Sequence, residues 1–349
     1  MKTTFVSTAA ISQAMRYSLL RAQSDLTNAQ KEASTGRVAD IGLALGSRTG
    51  HAVSFERDLE RMRGIVDSNG LAKARLSSTQ DAITQISKAA QSFLSTLTTS
   101  VSGDASPSLT LTDAKGTLQS ITAILNSSYN GEHLFAGINT DVQPINDFTA
   151  AGSPNKAAFD AGFLSFFGFT KNDPAAANIT AAQMNNFMTT VVEPQFLGAG
   201  WQGTWSNATD EGITSRIALN ETVQTSVSAN EGGMRKLAMA AALVTDMFDS
   251  NVSAIARKAV LTRAVSLVGE SMSDLANLAS STGIVENRVK NASDRIGMQV
   301  DLFQRNIQQL EGVDPYEAST RVTSLLQQIE TSYALTARIQ QLSLAKYLT

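Results

Sequence analysis

Proline is absent from residues 1–106 and again from 195–314, while Pro144, Pro154, Pro174 and Pro194, four of the six in the chain, cluster in the middle. Proline removes an amide donor and clashes with the preceding helical turn, so long uninterrupted helices are allowed only outside that middle stretch. Aromatic residues divide the chain in the same way: eight of 14 Phe and both Trp, Trp201 and Trp205, lie between residues 139 and 206. The pattern predicts a mainly α chain, an elongated helical rod with paired N- and C-terminal coiled-coil helices and a small inserted α+β or β-rich domain. Three domains are expected: a terminal coiled-coil domain with its connector (1–50 with 313–349), a helical rod with a short β-hairpin (51–138 with 207–312), and an inserted outer domain (139–206).

Apolar periodicity places the helices. Ile11, Met15, Leu19, Ala22, Leu26, Ala29 and Ala33 recur at threes and fours, one helical stripe that Gly36 is placed to stop. Residues 37–50, punctuated by Gly42, Gly46 and Gly50, read as a flexible connector. A second helix should run to about Val101, and a third, capped by Thr112 or Asp113, should carry Ala114, Leu118, Ile121 and Leu125 as far as the Asn130-Gly131 turn. Ile213, Ile217, Leu219, Val223 and Val227, set among Thr, Ser and Asn, read as short strands. Helix returns from Gly232-Gly233, and a stretch over 284–311 would be about 40 Å long. Asp314, Pro315 and Glu317 have the spacing of an N-cap, a first-turn proline and a capping box.

Isolated helices of this length are marginal in water and draw their stability from packing an apolar face. Both chain ends carry such a face. Ile11, Met15, Leu19 and Leu26 line the first, and Val322, Leu325, Ile329 and Tyr333 the last. Burying one such Leu, Ile or Met contributes about 1.5–3 kcal/mol, so pairing the two stripes offsets much of their ordering cost. Leu335, Ile339 and Leu342 form a further face on the last helix with no evident partner in the chain, which points to other subunits. The expected mechanism is termini that fold by coiled-coil contact when the subunit joins a homo-oligomeric ring or polymer.

The composition argues against most chemistry. With no Cys, disulfides, thiolate metal sites and a Cys nucleophile are excluded. His51 and His133 lie in different segments without carboxylates at metal-ligand spacing, no phosphate loop or nucleophile elbow occurs, and Asp58/Glu60 and Asp210/Glu211 read as solvated charge. No catalytic, cofactor-binding or metal residue is therefore expected. The formal net charge of -3 offers no field for nucleic acid, and no apolar run has the length of a membrane span. The Phe163–Phe169 cluster is expected to be the core of the insert rather than an adhesive patch. Met1–Thr8 lacks the continuous apolar core of a secretory signal.

Three stretches carry a family likeness. They are Ser34-Thr35-Gly36-Arg37 closing the first helix, Asn130-Gly131-Glu132-His133-Leu134-Phe135-Ala136-Gly137, and the C-terminal helix ending Leu342-Ser343-Leu344-Ala345-Lys346-Tyr347-Leu348. Together they resemble the flagellin family, and within it the hook-filament junction proteins most. In place of the Arg-Ile-Asn-Ser-Ala stretch of ordinary flagellin the chain has Arg37-Val38-Ala39-Asp40-Ile41-Gly42, which favours a junction protein over a filament subunit. The resemblance implies a structural subunit of the extracellular flagellum, exported through the type III channel without a cleaved signal. It implies as partners the first hook-associated protein, flagellin and a cytoplasmic export chaperone. A flagellin filament subunit and a secreted coiled-coil needle-tip or translocator protein are the alternatives.

Overall fold

The computed structural model describes the backbone of residues 8–345 and the side chains of residues 10–338. Helix α1, Thr8–Thr35, stops at Gly36, which takes a φ of +66 that a side chain would strain. The next stretch differs from the flexible connector expected. Asp40 is extended and its carboxylate accepts the Leu43 amide at 2.9 Å, starting a short helix α2, Ile41–Leu45, then a 3-10 turn over Gly46–Arg48. Helix α3, Thr49–Ser102, follows at once, so Gly50 is helical.

Helix α4, Pro107–Leu125, corrects the expected start at Thr112 or Asp113. Its cap is Ser106, whose hydroxyl accepts the Leu109 amide at 3.3 Å, and Pro107 supplies a pre-set φ where no intrahelical donor is needed. Strands β1, Ser128–Tyr129, and β2, Glu132–His133, close a tight hairpin over Asn130-Gly131, both at positive φ. In the 139–206 stretch the regular structure is helical: α5, Pro154–Phe167; α6, Ala181–Phe187; and α7, Glu193–Phe196. Pairing there is limited to isolated bridges such as Ile145 with Ser206, so the insert takes a helix-dominated form rather than a β-rich one. Strands β3, Thr214–Ala218, and β4, Glu221–Gln224, form an antiparallel hairpin with a register shift between Arg216 and Ala218. Ile213 and Val227 fall just outside it. Helices α8, Gly232–Phe248, α9, Ala254–Glu311, and α10, Pro315–Ala345, complete the chain. The helix expected over 284–311 is the second half of α9.

The chain divides into two compact units, Met1–Gly64 with Ile296–Thr349, and Ile65–Arg295. In the first, α1 and α10 lie antiparallel: Gln23 donates to the Tyr333 hydroxyl at 3.0 Å, and Arg321 donates to Glu32 at 3.1 Å. The start of α3 and the end of α9 meet through Phe55 and Phe303, whose ring centroids are 5.4 Å apart, with Ala52, Leu59 and Ile307 buried.

The second unit has one main core. Ile83, Ile86, Phe93 and Leu97 of α3 pack with Leu118 and Ile121 of α4, Val260 and Leu267 of α9, and α8, which is apolar nearly all round and correspondingly buried. Phe159, Phe163, Phe187, Phe196, Trp201 and Trp205 belong to the same core, so the 139–206 stretch is continuous with the helices beside it. Phe163 meets Phe187 edge-on at 5.3 Å, and Trp201 stacks on Trp205 at 5.8 Å. Phe163 is buried while Phe166, Phe167 and Phe169 pack partly buried against it. Buried Asp246 of α8 takes Lys156 at 3.1 Å and also pairs with Lys171, tying α5 and the loop after it down. A smaller core of Leu76, Ile217, Val223, Val289 and Ala292 seats the β3–β4 hairpin on α3 and α9, helped by the Asn69 side chain donating to Ile217 O at 2.9 Å.

Because the insert has no separate core, Phe187→Ala is expected to lower the main unfolding transition of this unit by about 3–5 kcal/mol in a denaturant titration. An early, separate transition with the main one unmoved would contradict a shared core.

Candidate assembly surface

The paired α1 and α10 carry the residues singled out from sequence, and the seam between them is thin. Ala22 and Ala29 of α1 and Ala318 and Ile329 of α10 are its buried members. Met15, Leu19, Leu26, Val322 and Leu325 are half-buried. Ile11 is exposed, and so are Tyr333 and Leu335. Tyr333 joins α1 through its hydroxyl. Ile339 and Leu342 lie outside the residues whose side chains are described. Three of the four buried members are alanines, which let the backbones approach but bury little surface, so the larger side chains spread to the flanks. Beyond the predicted stripe, Tyr17 is 67% and Leu20 62% exposed, and Leu326 is exposed as well. Large apolar groups left open on both helices of a pair form a surface suited to further helices.

The pair is joined to α3 and α9 by two chain crossings held side by side. Val38 N donates to Glu311 O at 2.8 Å and Val313 N to Gly36 O at 2.9 Å, an antiparallel bridge between Arg37 and Gly312. Asp314 then caps α10 by accepting the Tyr316 amide at 2.8 Å. The expected capping box is half-formed, since Glu317 pairs with Arg321 at 3.0 Å, one turn along, instead of reaching back to the cap. Beside the bridge lies a cleft of about 970 Å³ whose walls include Arg37, Val53, Glu56 and Gln308.

Sequence periodicity gave no sign of the charges at this bridge. Arg37 stands between two carboxylates, donating to Glu311 Oε2 at 3.4 Å and lying 3.5 Å from Glu56 Oε1. The Glu311 side chain is 1% exposed, and its Oε1 has no partner among the described residues. Burial foremost, and then Glu56, push its carboxyl above the ordinary carboxylate value, against the pull of Arg37. A charged residue at the end of an apolar-periodic helix reads as exposed, and only the crossing of the 311–313 segment with 36–38 reveals its burial.

The Asn130–Gly137 stretch acts in the second unit, and its residue types follow from its geometry. Asn130 and Gly131 supply the two positive-φ positions of the turn. Glu132 takes Arg75 of α3 at 2.5 Å, and the same guanidinium donates to His133 O at 2.7 Å. His133 Nδ1 lies 2.9 Å from Asn126 O, so the imidazole is a structural pin. Leu134, Phe135 and Ala136 enter the core. Gly137 sits at φ +69 where an added Cβ would overlap Thr209 Oγ1 and stand 2.5 Å from the Thr209 carbonyl. Among the described residues no three His, Asp or Glu side chains gather as a metal would require. Gly137→Ala should therefore cost about 3 kcal/mol or more, read as a fall in thermal midpoint. A midpoint unchanged from the parent would show that this turn is not sterically constrained.

Residues 6–140 match the bacterial flagellin N-terminal helical region, and residues 265–348 match the bacterial flagellin C-terminal helical region. No curated protein matches the chain. Among solved structures the fold is similar to a candidate flagellar hook-associated protein from Vibrio parahaemolyticus, at 12% identity and a TM-score of 0.52, over 76% of this chain and 97% of that one. With both terminal regions matched and most of its length covered by them, the chain belongs to the flagellin family, whose members are structural subunits of the flagellum and not enzymes.

Proposed function

We propose that this protein is a hook-filament junction adaptor. Its α1–α10 pair packs against the corresponding helices of neighbouring copies in a ring, against the first hook-associated protein on one side and against flagellin, which polymerises on it, on the other. The observation that carries the reading is the thin seam. α1 and α10 hold each other through Ala22, Ala29, Ala318 and Ile329 while leaving Tyr17, Leu20, Leu326 and Leu335 open. A surface of that kind costs solubility in a free subunit and is used when further helices cover it. Export through the flagellar type III channel with a cytoplasmic chaperone belongs to the same proposal, and keeping such a surface covered before assembly is the chaperone's physical role. Among the described residues no helix is long and apolar enough to cross a membrane.

The junction role, as against a filament subunit, is favoured by the Asn130–Gly137 stretch, by Arg37–Gly42 in place of the ordinary flagellin sequence, and by the description of the similar solved structure as hook-associated. The test is deletion of the gene, with electron microscopy of the cells and an assay for flagellin in the medium. Hooks without filaments, with flagellin shed, are expected. Normal filaments would overturn the proposal, and missing filaments without shed flagellin would assign the chain to the filament itself. Complementation with Leu20→Glu should give a folded, secreted protein that restores filaments at least tenfold less well than the parent, because an exposed site tolerates the charge in the free subunit and an interface does not. Full restoration would place the interface elsewhere.

A further inference from the structure

We infer that Glu311, Arg37 and Glu56 form a proton-dependent latch on the connection between the α1–α10 pair and helices α3 and α9. The inference deepens the assembly reading, on which it rests only for its consequence, since the latch itself belongs to the free chain.

The geometry is that of a site with one cation too few. Glu311 is fully enclosed, with one oxygen unpartnered among the described residues and the other 3.4 Å from Arg37. Glu56, 49% exposed, draws on the same guanidinium at 3.5 Å. Glu311 also ends a 58-residue helix, where the unpaired carbonyls disfavour negative charge. The surrounding charges are committed elsewhere or lie to one side. Glu32 of α1 holds Arg321 of α10, Asp314 caps α10, Glu317 is on Arg321, and Glu60 of α3 pairs with Arg63. Lys31 of α1 donates to Ala39 O at 2.8 Å, and Arg57 of α3 lines the cleft that Arg37 and Glu56 also border. Glu311 is also one of the four residues whose backbones make the bridge, its carbonyl accepting Val38 N. When the carboxyl is protonated, Arg37 is left to Glu56 and no charge is enclosed. When it ionises, the enclosed carboxylate is relieved by opening the bridge and admitting water.

The sign follows from the direction of the shift. A carboxyl whose affinity for protons is higher in the closed state than in the open one favours closure at low pH. That preference is lost as pH rises from the ordinary carboxylate value through the value Glu311 has when closed. Within that window the opening equilibrium should grow about tenfold per pH unit. The loosened connection frees the α1–α10 pair to reorient as it enters an assembly, so the latch couples the geometry of the terminal helices to the pH of their surroundings.

Hydrogen exchange of the full-length free protein, followed by mass spectrometry on peptides containing Val38 and Val313 and corrected for intrinsic rates, tests the latch apart from any polymer. Protection of both amides is expected to fall with rising pH in the parent and to be flat in Glu311→Gln. In Glu56→Gln, at a half-exposed position that preserves the fold, the fall should move to lower pH because the like charge is gone. A flat parent profile, a fall that persists in Glu311→Gln, or an unmoved midpoint in Glu56→Gln would each overturn the latch. None of these results bears on whether the terminal helices meet other subunits, which the deletion experiment decides.

Discussion

Helices in proteins draw most of their stability from packing an apolar face, and α1 and α10 each depend in this way on the surface the other offers. That surface is small. Ala22 and Ala29 let the two backbones approach but contribute few buried methylenes, and the larger residues stand half open along the edges. Two polar ties, Gln23 to Tyr333 and Glu32 to Arg321, fix the antiparallel register. A seam strong enough to set register and too thin to be complete is the constraint from which the functional reading follows.

The other unit is built on the opposite principle. The chain there encloses Phe93, Phe135, Phe187, Trp201 and Trp205 in one core, and α8 runs through it with hardly an exposed side chain. The charged groups that enter it are paired, Arg75 with Glu132 and His133 O, and Asp246 with Lys156 and Lys171. One part of the molecule builds a large core within the chain, and the other leaves apolar edges that the proposed assembly would cover. This is the division expected of a subunit whose body must be rigid while its ends join a polymer.

Much of this was legible in the sequence, for identifiable reasons. Proline-free stretches with apolar residues at threes and fours located α1, α3, α9 and α10, because a helix interior excludes proline and needs a continuous stripe. Asn130-Gly131 marked a turn because few other pairs tolerate two positive φ values, but the two-residue strands on either side of it were too short to show in the pattern. What escaped notice depended on one residue or on distant ones. Ser106 with Pro107 outcompeted Thr112 and Asp113 because a preset φ at the first helical position favours the earlier start. Asp40 made a helix of an apparent glycine linker through a single accepted amide. The choice between an α+β and a β-rich insert stayed open because its aromatic residues are shared with helices far away in sequence. Of the proposed assembly surface, the sequence offered the stripe, of which Ile11, Tyr333 and Leu335 lie exposed, but not the prominence of Tyr17 and Leu20, which lie off the predicted face.

The absence of cysteine allows a direct measurement of whether the open edges of the terminal pair are covered in the assembled flagellum. A single Leu20→Cys substitution would be labelled with a maleimide in the free subunit and in purified hook-filament structures that contain it. The account predicts rapid labelling of the free subunit and at least tenfold slower labelling after assembly. Equal rates in the two states would show that this edge stays in water and would contradict the claim that α1 and α10 are completed by their neighbours.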